Sequence, residues 1–181
     1  MSITVHTADH YESQRTPHPE AALPLRLPQS VLQAIETHGE QTYPHECCGI
    51  LMGRVTDNGI EVADRIPAGN ANTNSAHNRY DISPQDLIRA QREGRAKSLD
   101  IVGFYHSHPD HPAFWSATDL AEAHWFGCAY VITSIDGRSS GGINNAADIH
   151  ASPKAHTTNS FLLTGTSEDD KSFTKQSISA S

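Results

Sequence analysis

The 181-residue sequence predicts a single α/β domain, a mixed β-sheet flanked by helices. Three observations lead there. Short apolar runs bounded by turn residues alternate with stretches whose apolar residues recur at helical spacing. The length suits one domain able to bury a real core. The run Ile101-Val102-Gly103-Phe104-Tyr105 lies between two helix patterns, as a buried central strand would.

The elements follow in order. Residues 1–25 are polar, carry Pro17, Pro19 and Pro24, and read as a flexible leader; residues 26–181 form the domain. His6, His10 and His18 in the leader read as solvated polar residues. From Pro28 a helix begins, with Leu27, Val31, Ala34, Ile35 and His38 on one face. Gly39 weakens its last turns and Pro44 ends them. Cys48 to Gly53 is an apolar strand, and Gly49 and Gly53 allow close backbone approach. Thr56-Asp57-Asn58-Gly59 is a hairpin turn, and Ile60 to Ile66 returns. Asn70 to Asn78 is a polar loop, and Arg79 to Ile82 a short strand. Ser83-Pro84-Gln85-Asp86 opens a capped helix that runs to Lys97. Asp100 to Ser107 is the central strand, Thr118 to Phe126 a helix, and Cys128 to Ile135 a second buried strand. Residues 136–159 are rich in Gly, Ser, Asn and Ala and read as a long mobile loop.

Composition excludes several classes. A formal net charge of -8 lacks the basic footprint of a nucleic-acid binder. No apolar run reaches the length of a membrane span, and the N-terminus has no basic segment followed by an apolar one. The three cysteines, two of them adjacent, form no C-x-x-C and no even framework. A reduced, cytoplasmic protein is expected. No internal repeat is visible.

The chemistry gathers at His106-Ser107-His108-Pro109. On a strand, residues i and i+2 share a face, so His106 and His108 stand side by side. Pro109, with no N–H to donate, stops the ladder. Ser116 is an N-cap candidate, and Asp119 falls in the first turn that follows. Singly, each has a plainer reading: surface polarity for the histidines, capping for Ser116 and Asp119. Together they supply two nitrogens and an oxygen with room for a water, the donor set of a catalytic zinc site.

His-Ser-His-Pro, a spacer and Ser-x-x-Asp resemble the signature of the JAMM (MPN-plus) metalloprotease domain. Upstream, Pro44-His45-Glu46-Cys47-Cys48-Gly49 resembles the P-x-E-x-C-G segment of its bacterial and archaeal short branch. The likeness covers residues 28–135. It implies a curved mixed sheet of the JAMM/MPN, cytidine-deaminase-like kind, closed by strands over Ser160–Leu163 and Lys171–Ile178. The polar insert departs from the compact bacterial members. The resemblance further implies Zn2+ held by His106, His108 and Asp119. Glu46 is then the general base and Ser116 the donor to the developing oxyanion. The implied reaction is hydrolysis of the amide after the C-terminal Gly of a ubiquitin-like or sulfur-carrier protein, which is the implied partner.

The alternative is a non-catalytic MPN-type protein-binding module; the filled metal positions argue against it. A zinc deaminase expects H-x-E and P-C-x-x-C, and neither occurs. The RadC-like proteins prefer His-Asn-His-Pro, against Ser107. Cys47 and Cys48 read as small buried hydrophobes rather than ligands. His111 reads as loop polarity, His45 has no role, and Phe114 and Trp115 either line the rim or pack beneath it.

Overall fold

The computed structural model describes residues 22–70, 80–137 and 152–180. Strand β1 (Leu25–Leu27) leads through Pro28 into helix α1 (Gln29–Thr42). Val31, Ile35 and Gly39, spaced by four, make the buried stripe of that helix. Strands β2 (Cys48–Thr56) and β3 (Gly59–Ala68) form an antiparallel hairpin through the expected turn. Helix α2 (Pro84–Lys97) starts where the sequence placed it: the Ser83 side chain accepts from the Asp86 N–H, and Pro84 takes the first turn. There follow β4 (Asp100–Pro109), the short helix α3 (Ala117–Glu122), β5 (Ala129–Asp136), β6 (Lys154–Thr164), β7 (Ser172–Gln176) and β8 (Ile178–Ala180).

All eight strands join one sheet in the order β7-β6-β5-β4-β2-β3-β1-β8. It is mixed: β4 and β5 run parallel, as do β1 with β3 and with β8. The edge strands β7 and β8 are separated in sequence by Ser177 alone. A sheet whose two edges are chain neighbours has to curl back on itself. Bonds across that seam hold it: the Leu25 N–H donates to the Ser177 carbonyl at 2.8 Å, and the Gln176 amide to the Leu23 carbonyl. The expected curved mixed sheet is therefore present.

Alternation along the strands divides the core. Leu51, Tyr105 and Val131 pack with α1, while Ile50, Phe104 and Tyr130 pack on the other face with α2 and the end of α3. The glycines of β2 do what was expected of them. A side chain at Gly49 would overlap the Tyr105 ring, and one at Gly53 the Glu61 carbonyl, where the register with β3 shifts.

Several boundaries differ from the sequence reading. Leu25 and Leu27 are fully buried residues of β1, so Leu27 is not on the helix. At Tyr80–Ile82 there is a single bridge, Asn70 with Ile82, and no strand. The central strand does not stop at Ser107. The Ser107 N–H meets the Cys47 carbonyl and the Asp110 N–H the Ile135 carbonyl. Alternation thus aims position 109 past the end of the β2 ladder, where a missing N–H costs nothing. Helix α3 ends at Glu122, four residues early. Lys171 Nζ takes the Ala121 and Ala123 carbonyls at 2.9 and 3.0 Å, and the Trp125 N–H goes to the Tyr130 hydroxyl at 3.2 Å. The loop assigned to 136–159 contains the start of β6, from Lys154, paired with Asp136. The final stretch is two strands in place of one, and β8 crosses to the far edge. The assignments at 1–21, His6, His10 and His18 included, at 71–79 and at 138–151 lie outside the described residues.

Candidate metal and active site

Strand β4 carries His106 and His108 on the α2/α3 face, flanked by β2 and β5. They lie within the strand, not beyond it. His106 pairs in register with Cys48 and Ile132, and His108 with Ser134. Their Nε2 atoms are 3.0 Å apart. His108 Nδ1 meets the Pro112 carbonyl at 2.9 Å, so that nitrogen carries a proton and, in the neutral ring, Nε2 presents the lone pair.

Helix α3 delivers the third group. Ser116 and Asp119 form a full capping box. The Ser116 hydroxyl oxygen accepts from the Asp119 N–H at 3.1 Å, and the Ser116 N–H donates to Asp119 Oδ2 at 2.6 Å. Fixed in this way, Asp119 turns Oδ1 to His106 Nε2 at 3.3 Å and Oδ2 to His108 Nε2 at 3.5 Å. The three side chains converge, their ligand atoms all within 4.8 Å of one another.

Charge follows from this packing. Burial alone would raise the Asp119 pKa, but bonds to His106 and His108 prevail and hold its carboxyl well below the usual carboxylate range. Burial drives the His106 pKa down, so this imidazole is neutral near pH 7. At His108 burial also opposes charge, but Asp119 and the Pro112 carbonyl outweigh it and the pKa rises. His106 Nδ1 is buried and has no hydrogen-bond partner among the described residues.

Glu46 precedes β2 and arrives by register. Cys48 lies across from His106, and Cys47 exchanges two bonds with Ser107: its carbonyl accepts from the Ser107 N–H, and its N–H donates to the Ser107 hydroxyl oxygen. Continuing by one residue sets Glu46 across from His108 on the same face. It is 5% exposed. Burial pushes its carboxyl up to about 7, helped by Asp119 and Glu122 and opposed by His108.

Spacing and donor type both bear on zinc. Tetrahedral bonds of about 2.0–2.1 Å place neighbouring ligand atoms about 3.3–3.4 Å apart. The two imidazole nitrogens are 3.0 Å apart and Asp119 reaches them through different oxygens; with one atom counted per residue, the three ligand atoms lie within 4.8 Å of one another, close enough to share one ion. Two imidazole nitrogens and a carboxylate, crowded together with one imidazole neutral, suit a divalent cation of the zinc class.

The remaining assignments sort cleanly. Cys47 and Cys48 are buried, and burial raises their thiols to about 11 and about 12, as befits packing residues. His111 offers its carbonyl to the Ser134 hydroxyl at 2.7 Å and is not in the trio. Trp115 packs against Phe173, while Phe114, 57% exposed, stacks on Trp115 and meets Phe161 edge-on. Sequence reasoning missed Tyr80, whose ring stacks on His106 with centroids 4.3 Å apart. It also missed Lys171, which caps the helix that carries Asp119. Neither had a local signal, because each is brought in by chain distant in sequence.

Comparison with known proteins bears on the fold and the family. The family described as prokaryotic homologs of the JAB domain matches residues 28–147. A protein of Haloferax volcanii named desampylase is 35% identical over 95 residues, 52% of this chain and 66% of that protein. A Thermus thermophilus protein named "Probable TtuB-protein conjugate cleaving protease" is 33% identical over 115 residues, 64% of this chain and 73% of its own length. The class of these named relatives, JAMM-type hydrolases, is the class expected from the sequence. A solution structure of a Desulfitobacterium hafniense protein superposes with a TM-score of 0.65 over 87% of this chain and 92% of that one, at 24% identity, which shows the fold. Since the match takes in the whole stretch from α1 through β5, this chain belongs to the prokaryotic JAB-domain family, the bacterial and archaeal side of the JAMM/MPN group.

Proposed function

We propose that this protein is a zinc-dependent metallopeptidase or isopeptidase. Its reaction is hydrolysis of the amide after the C-terminal Gly of a ubiquitin-like or sulfur-carrier protein. One arrangement carries the reading: Glu46 is buried and within reach of the charges of His108 and Asp119, beside the converging His106, His108 and Asp119. The names of the two relatives supply the substrate class.

His106, His108 and Asp119 would hold the metal. Zinc, when bound, polarises the carbonyl and lowers the pKa of its water to about 7. Glu46 takes a proton from the attacking water and passes it to the nitrogen as the C–N bond breaks, so the amine leaves neutral. Its buried surroundings keep its proton affinity high enough for both transfers. The Ser116 oxygen accepts from Asp119, which leaves its O–H proton free to donate to the carbonyl oxygen as negative charge builds there. Capping and catalysis therefore use different parts of one hydroxyl. No helix among the described residues is long and apolar enough to cross a membrane. The three buried free thiols fit a cytoplasmic setting.

The test is elemental analysis of purified protein together with cleavage of ubiquitin-like fusions. Wild type is expected to hold near-stoichiometric zinc, and His106→Ala/His108→Ala to lose it. Glu46→Gln should keep zinc and lose hydrolysis by about 10²–10⁴-fold. A Glu46→Gln protein with full activity would remove Glu46 from the mechanism. A folded wild type that takes up no zinc would favour the binding-module reading.

A further inference from the structure

On the sheet face opposite the metal trio, a groove of about 500 Å³ runs between α1 and β3, lined by Gln33, Thr37, His38, Gln41, Arg65 and Pro67. Three strands and a helix build its floor. Gly49 of β2 has no side chain, so the Tyr105 ring of β4 lies over it. The Tyr105 hydroxyl thereby reaches the seam between β3 and α1, where it meets Arg65 Nη1 at 3.0 Å and His38 Nδ1 at 2.9 Å. A guanidinium only donates, so the hydroxyl oxygen accepts from Arg65. The hydroxyl proton then goes to the acceptor at hand, His38 Nδ1, which leaves the imidazole N–H on Nε2. Burial and the Arg65 charge hold the His38 pKa down, in keeping with a neutral ring.

The inner ends of these groups satisfy one another; the outer ends do not. His38 Nε2 and the remaining guanidinium N–H groups have no partner among the described residues. Three of the described lysines and arginines are half-buried: Arg65, Arg89 and Lys171. Arg89 has the Asp86 carboxylate at 2.7 Å, and Lys171 has that of Glu168. Arg65 has none. Asp64 beside it takes only the Arg65 backbone N–H and gives its other oxygen to Lys97 at 2.8 Å. No Asp or Glu lines the groove among the described residues. A cation drawn out of water without a counter-charge is costly, and an incoming anion supplies that charge. We infer that this groove binds a small oxyanion, a carboxylate or phosphate group. The planar guanidinium can hold two oxygens at once, and the His38 Nε2–H and the Thr37 hydroxyl are further donors in the same groove. This site is separate from the hydrolase chemistry and does not rest on it.

The experiment is an NMR titration of the purified full chain at fixed pH and ionic strength. The probes are inorganic phosphate and succinate, with chloride as the control. The readouts are the His38 imidazole signals, assigned with His38→Gln, and the Arg65 Nε–H signal, assigned with Arg65→Lys. Phosphate, succinate or both should shift the two sets saturably and with one half-saturation point, and the tighter of the two probes names the source of the oxyanion. Arg65→Gln should weaken that binding by about tenfold or more, as the loss of a hydrogen bond to a charged group does. No shift with either probe, an equal shift with chloride, or a shift confined to His106 and His108 overturns the inference. So does undiminished binding in Arg65→Gln. If that variant does not fold, the wild-type Arg65 signal decides: movement together with His38 supports the site, and a still Arg65 signal overturns it.

Discussion

Successive residues of one strand meet opposite fates. On the α1 face of β4, Tyr105 is fully buried, and its hydroxyl is matched by His38 Nδ1 at 2.9 Å and the Arg65 guanidinium at 3.0 Å. Ser107 on that face accepts from the Cys47 N–H. On the other face, His106 and His108 bring two ring nitrogens to 3.0 Å of each other, and His106 Nδ1 has no partner among the described residues. Burial of polar groups costs free energy unless they are paired. The α1 face meets that cost with internal hydrogen bonds and is finished as it stands. The site face instead gathers three ligand groups around one point, the arrangement a cation would complete. A fold under selection for stability alone would not keep the second arrangement.

The largest test of this contrast is to break the site face. Asp119→Ala removes both the carboxylate that faces the two imidazoles and half of the capping box. Zinc should be lost, with hydrolysis falling by about 10³-fold or more. Isotope-resolved metal analysis beside a cleavage assay reads both, and retention of zinc at wild-type stoichiometry would remove Asp119 from the ligand set.

A second test uses pH in metal-free protein. Glu46 titrates near 7 when folded and near 4.5 when not. Between those values the unfolded chain has released its proton and the folded one has kept it. Stability from this group is therefore lost as pH rises through that window, by up to about 3 kcal/mol. Gln does not titrate, so the stability of Glu46→Gln relative to wild type should grow between pH 4.5 and 8, read from urea melts in chelator. Parallel curves would show that Glu46 is not held in a desolvated site. Ser116→Ala comes next in size. It should cost about 1 kcal/mol of stability through the lost cap, and a further loss of kcat if the hydroxyl also serves the oxyanion. A stability loss without any loss of kcat would reduce Ser116 to a cap.

Much of this was legible in the sequence because it is local. The i, i+2 histidines fix their common face through strand geometry alone, and Ser-x-x-Asp announces a capping box. Glu46 was not legible in the same sense. Its place comes from the register of β2 against β4, set by pairings such as Gly49 with Tyr105, more than fifty residues apart. The resemblance to a family supplied what spacing did not. The same limit explains the edges of the fold. Leu25–Leu27 has no strand signal of its own, and becomes β1 because β3 and β8 lie on either side of it. Helix α3 looks longer by pattern than it is, since Lys171 and Tyr130 take the backbone groups that would have continued it. Residues 154–159 are polar enough to pass for loop, yet pair with β5 as part of β6, outside the main cores.

The smallest effect sharpens the contrast from the finished side. Tyr105→Phe deletes one hydroxyl and leaves the ring that packs over Gly49. His38 Nδ1 and Arg65 would each lose a partner, but both stand near a groove on the α1 side and can turn to water. The cost should therefore be about 1 kcal/mol, at the lower end for a buried bond. Zinc content, kcat and KM should not change, because Tyr105 projects away from the trio even though it is bonded to His106 in sequence. A differential scanning melt with a parallel cleavage assay separates the two quantities. A drop in kcat without a drop in stability would mean that the two faces of β4 are coupled through the strand, and that the α1 side, with its satisfied bonds, is part of the catalytic apparatus after all.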